Sequence, residues 1–446
     1  MRTIVKENKN ITRIFGEQQL KDTKYRMMKY VLQAECEDGL LLHNSITGHL
    51  VLLDIDEAEQ LKNLSLSSER VFTELVHKRF LVPIEYDEKK TVNDLRILLK
   101  RCYAHDDIEG YTIFTTTNCN ARCFYCYESE LPHVNMDKKT AAELAEYMIN
   151  HKGEKSLKLH WFGGEPLVCV HIIDQICDEL KKNGIAYRST MTSNGYLFTE
   201  SMIEKAITFW NLDSVQITLD GTEEIYNKTK AYVSAVANPY RIVMNNIRRL
   251  LEHNIRVIIR LNLDKHNMQD LERLVDELSE KLGSNKLLEV YTHVLFENAG
   301  FSPIERDEES KKLLYERHAK LSNIIHQKGL GKKLKSLPSL KTHNCMADTN
   351  NSLAVYPDGR LFKCEHIEMG DEIGTIREGI IQKAGIEKFI TRMELKECIS
   401  CPLYPSCILL KNCQGVSDKE WHICEYSIVE AENNLKEHYK HYKHKR

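Results

Sequence analysis

The order of apolar and polar segments predicts an α/β protein built on a parallel sheet, with a small α+β module before it and a cysteine-rich region after it. Three observations carry this expectation. From Tyr111 to about Phe296, six strand-like segments alternate with helical ones. Ahead of residue 85 the pattern is of short strands and two amphipathic stretches. Of the fourteen cysteines, three lie within Cys119–Cys126 and seven between Cys345 and Cys424. At 446 residues the chain is long enough for roughly two to three domains. The boundaries expected are 1–95 for the first module with its linker, 105–300 for the α/β domain, 301–340 for a connecting segment and 341–446 for the cysteine-rich domain and a C-terminal helix.

The elements follow in order. KYVLQAE reads as a strand, and GLLLHNSITGHLVLLD as a hairpin whose apolar runs flank the turn formers Asn44 to Gly48. The stretches Asp56–Leu64 and Ser68–Arg79 are amphipathic helices. Strands plus a helical pair fit a small winged-helix-like module. Residues 85–94, EYDEKKTVND, are highly charged and read as a linker. The six strands are YTIFTTT, LKLHWFG, RSTMTSN, SVQITLD, RVIIRLN and LEVYTHVLF. Between them lie helices at Lys138–Lys152, Ile172–Asn183, Thr199–Phe209, Tyr240–His253 and Met268–Leu282. Strands separated by helices imply parallel βαβ units, whose chemistry gathers at the C-terminal strand ends. Glu308–Lys328 is a further helix, and the basic end HYKHYKHKR reads as a solvated, frayed terminus.

Composition narrows the function. A net charge of −3 gives no basic excess for nucleic acid. No apolar run reaches the roughly 18 residues of a membrane helix, and MRTIVKENKNITRIF lacks the apolar stretch of an export signal, so a cytoplasmic location is expected. Cytosolic thiols stay reduced, so this many cysteines point to metal rather than disulfides. Cys169 and Cys177 sit at helical spacing with Ile173 and Leu180 and read as small hydrophobes.

Cys119, Cys123 and Cys126 form C-x-x-x-C-x-x-C directly after strand YTIFTTT. Three such thiolates suit one face of a [4Fe–4S] cluster and leave one iron open to chelate a small molecule. Zinc is the competing reading, but a structural zinc site needs four ligands and no fourth is near. The run N-C-N-A-R-C-F-Y-C-Y resembles the signature of the radical S-adenosylmethionine (SAM) superfamily. That resemblance implies a partial (β/α)6 barrel in which the open iron binds SAM and an electron cleaves it to a 5′-deoxyadenosyl radical. It further implies that Tyr125 packs near the adenine. Gly163-Gly164-Glu165-Pro166, ending strand LKLHWFG, is similar to the superfamily's Gly-Gly-Glu-Pro motif, in which backbone and carboxylate receive the SAM ammonium. Thr192-Ser193-Asn194-Gly195 and Thr218-Leu219-Asp220-Gly221 are similar to the T-N-G and S-L-D-G strand ends, with Ser193, Asn194 and Thr218 as cofactor contacts. Lys230 stands where relatives often carry an arginine, and would meet a carboxylate as a point charge rather than a fork. For Arg260 and Asn262, ending the fifth strand, cofactor contact and a purely structural role are both open.

Cys345, Cys364, Cys398, Cys401, Cys407, Cys413 and Cys424 follow, with Gly359 five positions before Cys364 in the hairpin YPDGRLFKC. The set resembles the SPASM domain of peptide-modifying radical SAM enzymes, except that five residues rather than three separate Cys407 from Cys413. The resemblance implies two auxiliary [4Fe–4S] clusters, three clusters in all. Cys345, Cys364 and Cys413 would hold one, and Cys398, Cys401, Cys407 and Cys424 the other. Seven thiolates leave one iron without a cysteine. Cys398 and Cys401 also fit a zinc knuckle. Glu365 stands where sulfatase-maturing relatives carry an acidic base, and its neighbour His366 is equally open.

The expected protein is therefore a radical SAM peptide maturase that installs a crosslink, with a cysteine thioether preferred. The alternatives are a carbon–carbon or ether link, a formylglycine-forming sulfatase-maturing enzyme, or a zinc-binding scaffold without catalysis. Its partners would be a ribosomal precursor peptide, whose leader adds as a strand to the N-terminal module, and an electron donor such as flavodoxin or ferredoxin.

Overall fold

Residues 2–83 build two small antiparallel sheets. β1 (Arg2–Val5), β3 (Val31–Cys36), β4 (Gly39–Asn44) and β5 (Leu50–Leu53) form one, in the order β1-β5-β4-β3; β2 (Tyr25–Met27) and β6 (Leu81–Pro83) form the other. The computed structural model describes residues 1–6, 11, 14–16, 18–63, 65, 67–102, 107–233, 235, 237–283, 285–295, 307–331, 336–343, 345–390, 396–407 and 421–444. The expected hairpin between β4 and β5 is made by Asn44. Its side-chain oxygen accepts from the N–H groups of Ile46 and Thr47, and Gly48 closes the turn at a φ of 81° that a side chain would oppose. α1 (Ile55–Lys62) starts with a capping box between Asp54 and Glu57, and α2 (Glu69–His77) with a Ser68 cap.

Residues 85–94 are not a linker. α3 (Glu88–Cys102) takes up most of them. Its charged residues hide an apolar stripe, in which Val92, Leu95 and Leu99 recur at helical spacing and are buried in the core of the N-terminal module. The buried Glu88 carboxylate pairs with Arg26 on β2. That contact joins the start of the helix to the sheet.

The central sheet follows. β7 (Gly110–Thr116), β8 (Leu157–Gly163), β9 (Tyr187–Ser193), β10 (Leu212–Leu219), β11 (Arg256–Leu263) and β12 (Leu288–Val294) each pair in parallel with the next. All six coincide with the expected segments to within two residues. The connecting helices are α4 (Lys138–His151), α5 (Val170–Lys182), α6 (Glu200–Thr208), α7 (Glu223–Lys230), α8 (Pro239–Glu252) and α9 (Met268–Leu282). α7 was not expected: EEIYNKTK has two apolar residues in eight, too few to show a period. One face of the sheet and these helices enclose the main core, which buries Cys169 and Cys177 among aliphatic side chains. α10 (Glu308–Gln327) packs beside β12.

The C-terminal region returns to both earlier parts. β13 (Ser352–Val355) pairs in parallel with β7 and extends the central sheet, and β14 (Arg360–Phe362), β15 (Gly374–Thr375) and β16 (Gly379–Ile380) continue it antiparallel. α11 (Lys383–Ile390) follows. α12 (Trp421–His444) lays Ala431, Leu435 and Tyr439 on Leu32, Ala34, Leu41, Leu50 and Leu52 of the N-terminal sheet. As far as His444 the basic end is therefore docked helix rather than frayed. Tyr439 donates to Asp38 at 2.6 Å and Lys443 bridges Glu37 and Asp38.

The helical reading of 88–102 has a direct test. Leu95 is buried whereas Ile97, two residues on, is 52% exposed. Leu95→Ala is expected to lower the unfolding free energy by about 2–5 kcal/mol, and Ile97→Ala by no more than about 0.5 kcal/mol. Equal effects in urea titrations would return the segment to a linker.

Candidate active site

The loop after β7 carries Cys119, Cys123 and Cys126, all half-buried. Two neighbours hold it. On one side β8 presses against its entry: Gly164 N–H donates to Thr116 O at 3.1 Å and Glu165 N–H to Asn118 O at 2.9 Å. A Cβ on Gly163 would stand 2.1 Å from Thr116 O, and one on Gly164 2.4 Å from Asn118 O. The two glycines thus let β8 meet the backbone of the cysteine loop itself. On the other side, Arg122 N–H donates to Lys230 O and Val233 N–H to Asn120 O, both at 2.8 Å. Burial pushes the Cys119 and Cys126 thiols up to about 12. Their thiolates therefore need a cation beside them, as iron would supply. Among the described residues no three His, Cys, Asp or Glu side chains converge on a single ion.

Glu165 is fully buried behind this loop. Its carboxylate accepts from the Ser193 hydroxyl at 2.9 and 3.1 Å, from Asn194 N–H at 2.8 Å and from Leu167 N–H at 3.2 Å. Burial nevertheless pushes it up to about 7. Asn194 passes the connection on: its amide donates to Asn120 Oδ1 at 2.6 Å and lies 3.9 Å from Cys119 Sγ.

A second buried network lies at the end of β10. The Lys230 ammonium is 3.1 Å from Asp220 Oδ2 and donates to Tyr125 Oη at 2.9 Å. Tyr125 in turn donates to Asp220 at 2.8 Å, and the Asn262 amide donates to Asp220 at 3.1 Å. Burial opposes the lysine's charge, but Asp220, Cys123 and Tyr125 outweigh it, so the ammonium titrates well above its ordinary range. Lys230 and Tyr125, both cofactor candidates in the sequence, are thus bound to each other.

The second network borders, through Tyr125 and Asn262, a cavity of about 430 Å³, a volume suited to a small molecule or a few side chains. Its wall is made mainly by alternate residues of the strands, His160 and Phe162 from β8, Thr190 and Thr192 from β9, Gln216 and Thr218 from β10, Arg260 and Asn262 from β11, with Met191 of β9 out of step. Tyr125 and Tyr127 enter from the cysteine loop, and Glu365 and His366 from the segment after β14. The structure thus brings Glu365 and Thr218 to one space. Burial raises the Glu365 carboxyl, and Arg260 pulls it part of the way back. The His160 nitrogens lie 2.7 and 3.1 Å from the Thr190 and Thr192 hydroxyls, and burial lowers the ring to about 4, so it is neutral.

Five of the C-terminal cysteines, among the described residues, occupy two places. Cys345 precedes the turn before β13 and Cys364 follows β14, both beside the central sheet. Cys398, Cys401 and Cys407 lie on a turn-rich segment against the N-terminal module. Cys413 lies outside the described residues, and Cys424 falls on α12.

Residues 113–278 match the family model described as the radical SAM superfamily, over the strands that carry both networks and the cavity. The chain carries a radical SAM domain. Beyond that domain, the chain is 20% identical over 449 aligned positions to the radical SAM cyclopropyl synthase TigE of Paramaledivibacter caminithermalis, covering 90% of this chain and 88% of TigE. Two other curated relatives match over only 41% and 51% of their own lengths, so the chain spans about half of each. Among solved structures, anSMEcpe with bound AdoMet superposes with a TM-score of 0.55 at 14% identity, over 74% of this chain and 96% of that one. SuiB of Streptococcus suis bound to S-adenosylmethionine gives 0.52 at 16%, over 86% and 94%. At these identities the likeness is one of fold.

Within the radical SAM domain three residues escaped the sequence reading. Asp220 stood inside a recognised strand end, yet its charge holds both Tyr125 and Lys230. His160 was marked only by its parity with Phe162 on β8. Glu128, two residues after Cys126, is buried, has one oxygen without a partner among the described residues, and is pushed up to about 8, first by burial. Nothing in a single sequence marked it.

The Lys230–Asp220 pair yields a prediction for the radical SAM domain. Lys230→Met leaves a buried carboxylate uncompensated and is expected to cost about 3–5 kcal/mol, most of which the Lys230→Met/Asp220→Asn double variant recovers. Additive losses in urea unfolding would show that the two charges do not depend on each other.

Proposed function

We propose that this chain is a SAM-cleaving peptide maturase. The observation that carries the reading is the position of the cysteine loop. It stands at the C-terminal end of β7, bonded to the segment that carries the buried Glu165 carboxylate, and sends Tyr125 and Tyr127 to the wall of the cavity. Cys119, Cys123 and Cys126 would hold a [4Fe–4S] cluster and Glu165 would receive the SAM ammonium, with Gly163, Gly164, Ser193 and Asn194 around it. Tyr125 and Thr218 would meet the rest of SAM, and Lys230 would act through Tyr125. A cluster held there would supply the one electron for reductive cleavage of SAM to methionine and a primary-carbon radical. The chain's own part is to keep water from that radical and to present the substrate carbon to it. Phe162, Ile258 and Leu295 line the apolar part of the wall, while neutral His160 adds no charge.

A precursor peptide is the substrate we favour. SuiB, whose fold this chain shares, has been solved bound to its precursor peptide SuiA. The N-terminal sheet offers edge strands β1 and β3 for a leader to extend. Cys345, Cys364 and Cys413 would hold one auxiliary cluster, and Cys398, Cys401, Cys407 and Cys424 another, which gives three in all. Seven ligands leave one position that a substrate thiol suits, which favours a cysteine thioether as product. Flavodoxin or ferredoxin would supply electrons. One observation favours the sulfatase-maturing alternative: Glu365 lines the cavity with a raised carboxyl, as a proton acceptor there would.

Three outcomes are expected. SAM affinity should fall as pH drops through about 7, because a protonated Glu165 loses its charge for the ammonium. Glu165→Gln should weaken SAM binding on the order of ten- to a hundredfold and flatten that pH profile, with iron content unchanged. A variant with wild-type affinity at pH 8 would remove Glu165 from the SAM site. Mass spectrometry of the modified precursor should show two hydrogens lost per crosslink, with one cysteine no longer alkylatable. Loss of hydrogens with every cysteine still alkylatable would mean a carbon–carbon or ether link, and formylglycine would favour the sulfatase-maturing reading.

A further inference from the structure

Arg96, on α3, is buried and reaches out of its own module. Its Nε donates to Lys341 O at 3.0 Å, and its Nη2 to Tyr404 O at 2.8 Å, Pro405 O at 3.0 Å and Cys407 O at 3.1 Å. The guanidinium also lies 5.2 Å from the centre of the Tyr404 ring. The segment it grips consists of successive tight turns: Cys401 N–H donates to Cys398 O, Tyr404 N–H to Cys401 O and Cys407 N–H to Leu403 O. Carbonyls left over from such turns point out of the segment, and a planar fork can gather several of them where an ammonium could not. The module supports the same segment elsewhere. Tyr30 stacks on Tyr404 at 5.2 Å and donates to Ile399 O, and the Ser45 hydroxyl donates to Pro402 O.

This grip leaves the charge of Arg96 incompletely matched. None of the acceptors named is a carboxylate, and Nη1 is buried without a partner among the described residues. A buried cation held by carbonyl dipoles, with an unused donor, is suited to an anion nearby. The same segment carries Cys398, Cys401 and Cys407, and thiolates gathered on iron are such an anion.

We infer that Arg96 is a positioning residue for the second auxiliary cluster: it fixes the Cys398–Cys407 segment in its ligating form and supplies the counter-charge for the thiolates. This rests on the reading of these cysteines as cluster ligands. It makes the N-terminal module a structural bed for the cluster as well as a surface for a leader. Deleting residues 1–102, which include the whole of α3 with Arg96, would therefore remove both functions together.

The test uses the full-length chain, reconstituted anaerobically, with iron and sulfide content and the electron paramagnetic resonance spectrum of the reduced protein as readouts. Arg79 is the control. It is an equally buried arginine of the same module, likewise held by uncharged acceptors and with its Nε unpartnered among the described residues, but those acceptors, Phe15 O, Gly16 O and Gln18, lie within the module and far from the cysteines in sequence. Arg96→Met is expected to lose about four irons, one cluster, and that cluster's signal. The response of the remaining spectrum to added SAM should persist. Arg79→Met should keep the wild-type iron and spectrum. Wild-type iron in Arg96→Met, or the same loss in Arg79→Met, would overturn the inference. A wild type holding only a single cluster's iron would overturn the auxiliary-cluster reading, and the inference with it, before any variant is measured. Should Arg96→Met fail to fold, Arg96→Lys is compared with Arg79→Lys for iron release to a chelator. Release on the order of tenfold faster from Arg96→Lys is expected, and equal rates would refute the role of the fork.

Discussion

A carboxylate buried with no ion partner in contact among the described residues is the constraint on which the site depends. Glu165 accepts from Leu167, Ser193 and Asn194, so one acidic group joins the ends of β8 and β9. Its own backbone N–H reaches into the cysteine loop at Asn118, and Asn194 reaches the same loop at Asn120. Three successive crossings of the chain are thereby fixed relative to one another around a charge that burial disfavours. An arrangement of this kind is well placed to receive a cation and would gain from doing so. The preorganisation lies in the backbone donors, which need not move when the carboxylate changes partner.

The β10 end works by the opposite device. There the charges are matched internally, with Lys230, Asp220, Tyr125 and Asn262 closing on one another. The result is a rigid wall rather than a receptive one. It holds Tyr125, between two of the three cysteines, at a fixed height above the cavity. The two networks divide the work between a group kept in need of a partner and a group kept satisfied.

How much of this could be read from the chain depended on how local each interaction is. The six parallel strands were legible because period-two apolar runs and glycine-rich strand ends are local signals. The cysteine loop and Gly163–Pro166 were legible because their chemistry lies within a few residues. α3 was not, because Glu88, Lys89, Lys90 and Asp94 dominate the same stretch as its buried Val92 and Leu95. α7 escaped because its main role is polar, through Lys230. That Gly163 and Gly164 also admit the backbone of the cysteine loop had no local trace. The longest-range contacts had no local trace at all. Arg96 bonds to carbonyls some three hundred residues away, and α12 covers a sheet made from the first residues of the chain.

The pairing of β13 with β7 has a consequence for how the protein is made. β7 opens the central sheet, yet the strand that covers its outer edge belongs to the region after the sheet is complete. During synthesis the nascent sheet therefore carries one row of unpaired backbone groups, next to the loop with the three cysteines, until Ser352–Val355 has left the ribosome. Closing that edge is a contact of very long sequence separation and so is intrinsically slow. The same event carries Glu365 and His366 to the cavity. Until the late strand docks, the cavity lacks one wall, so the order of chain emergence itself delays completion of the chamber in which a radical would be handled.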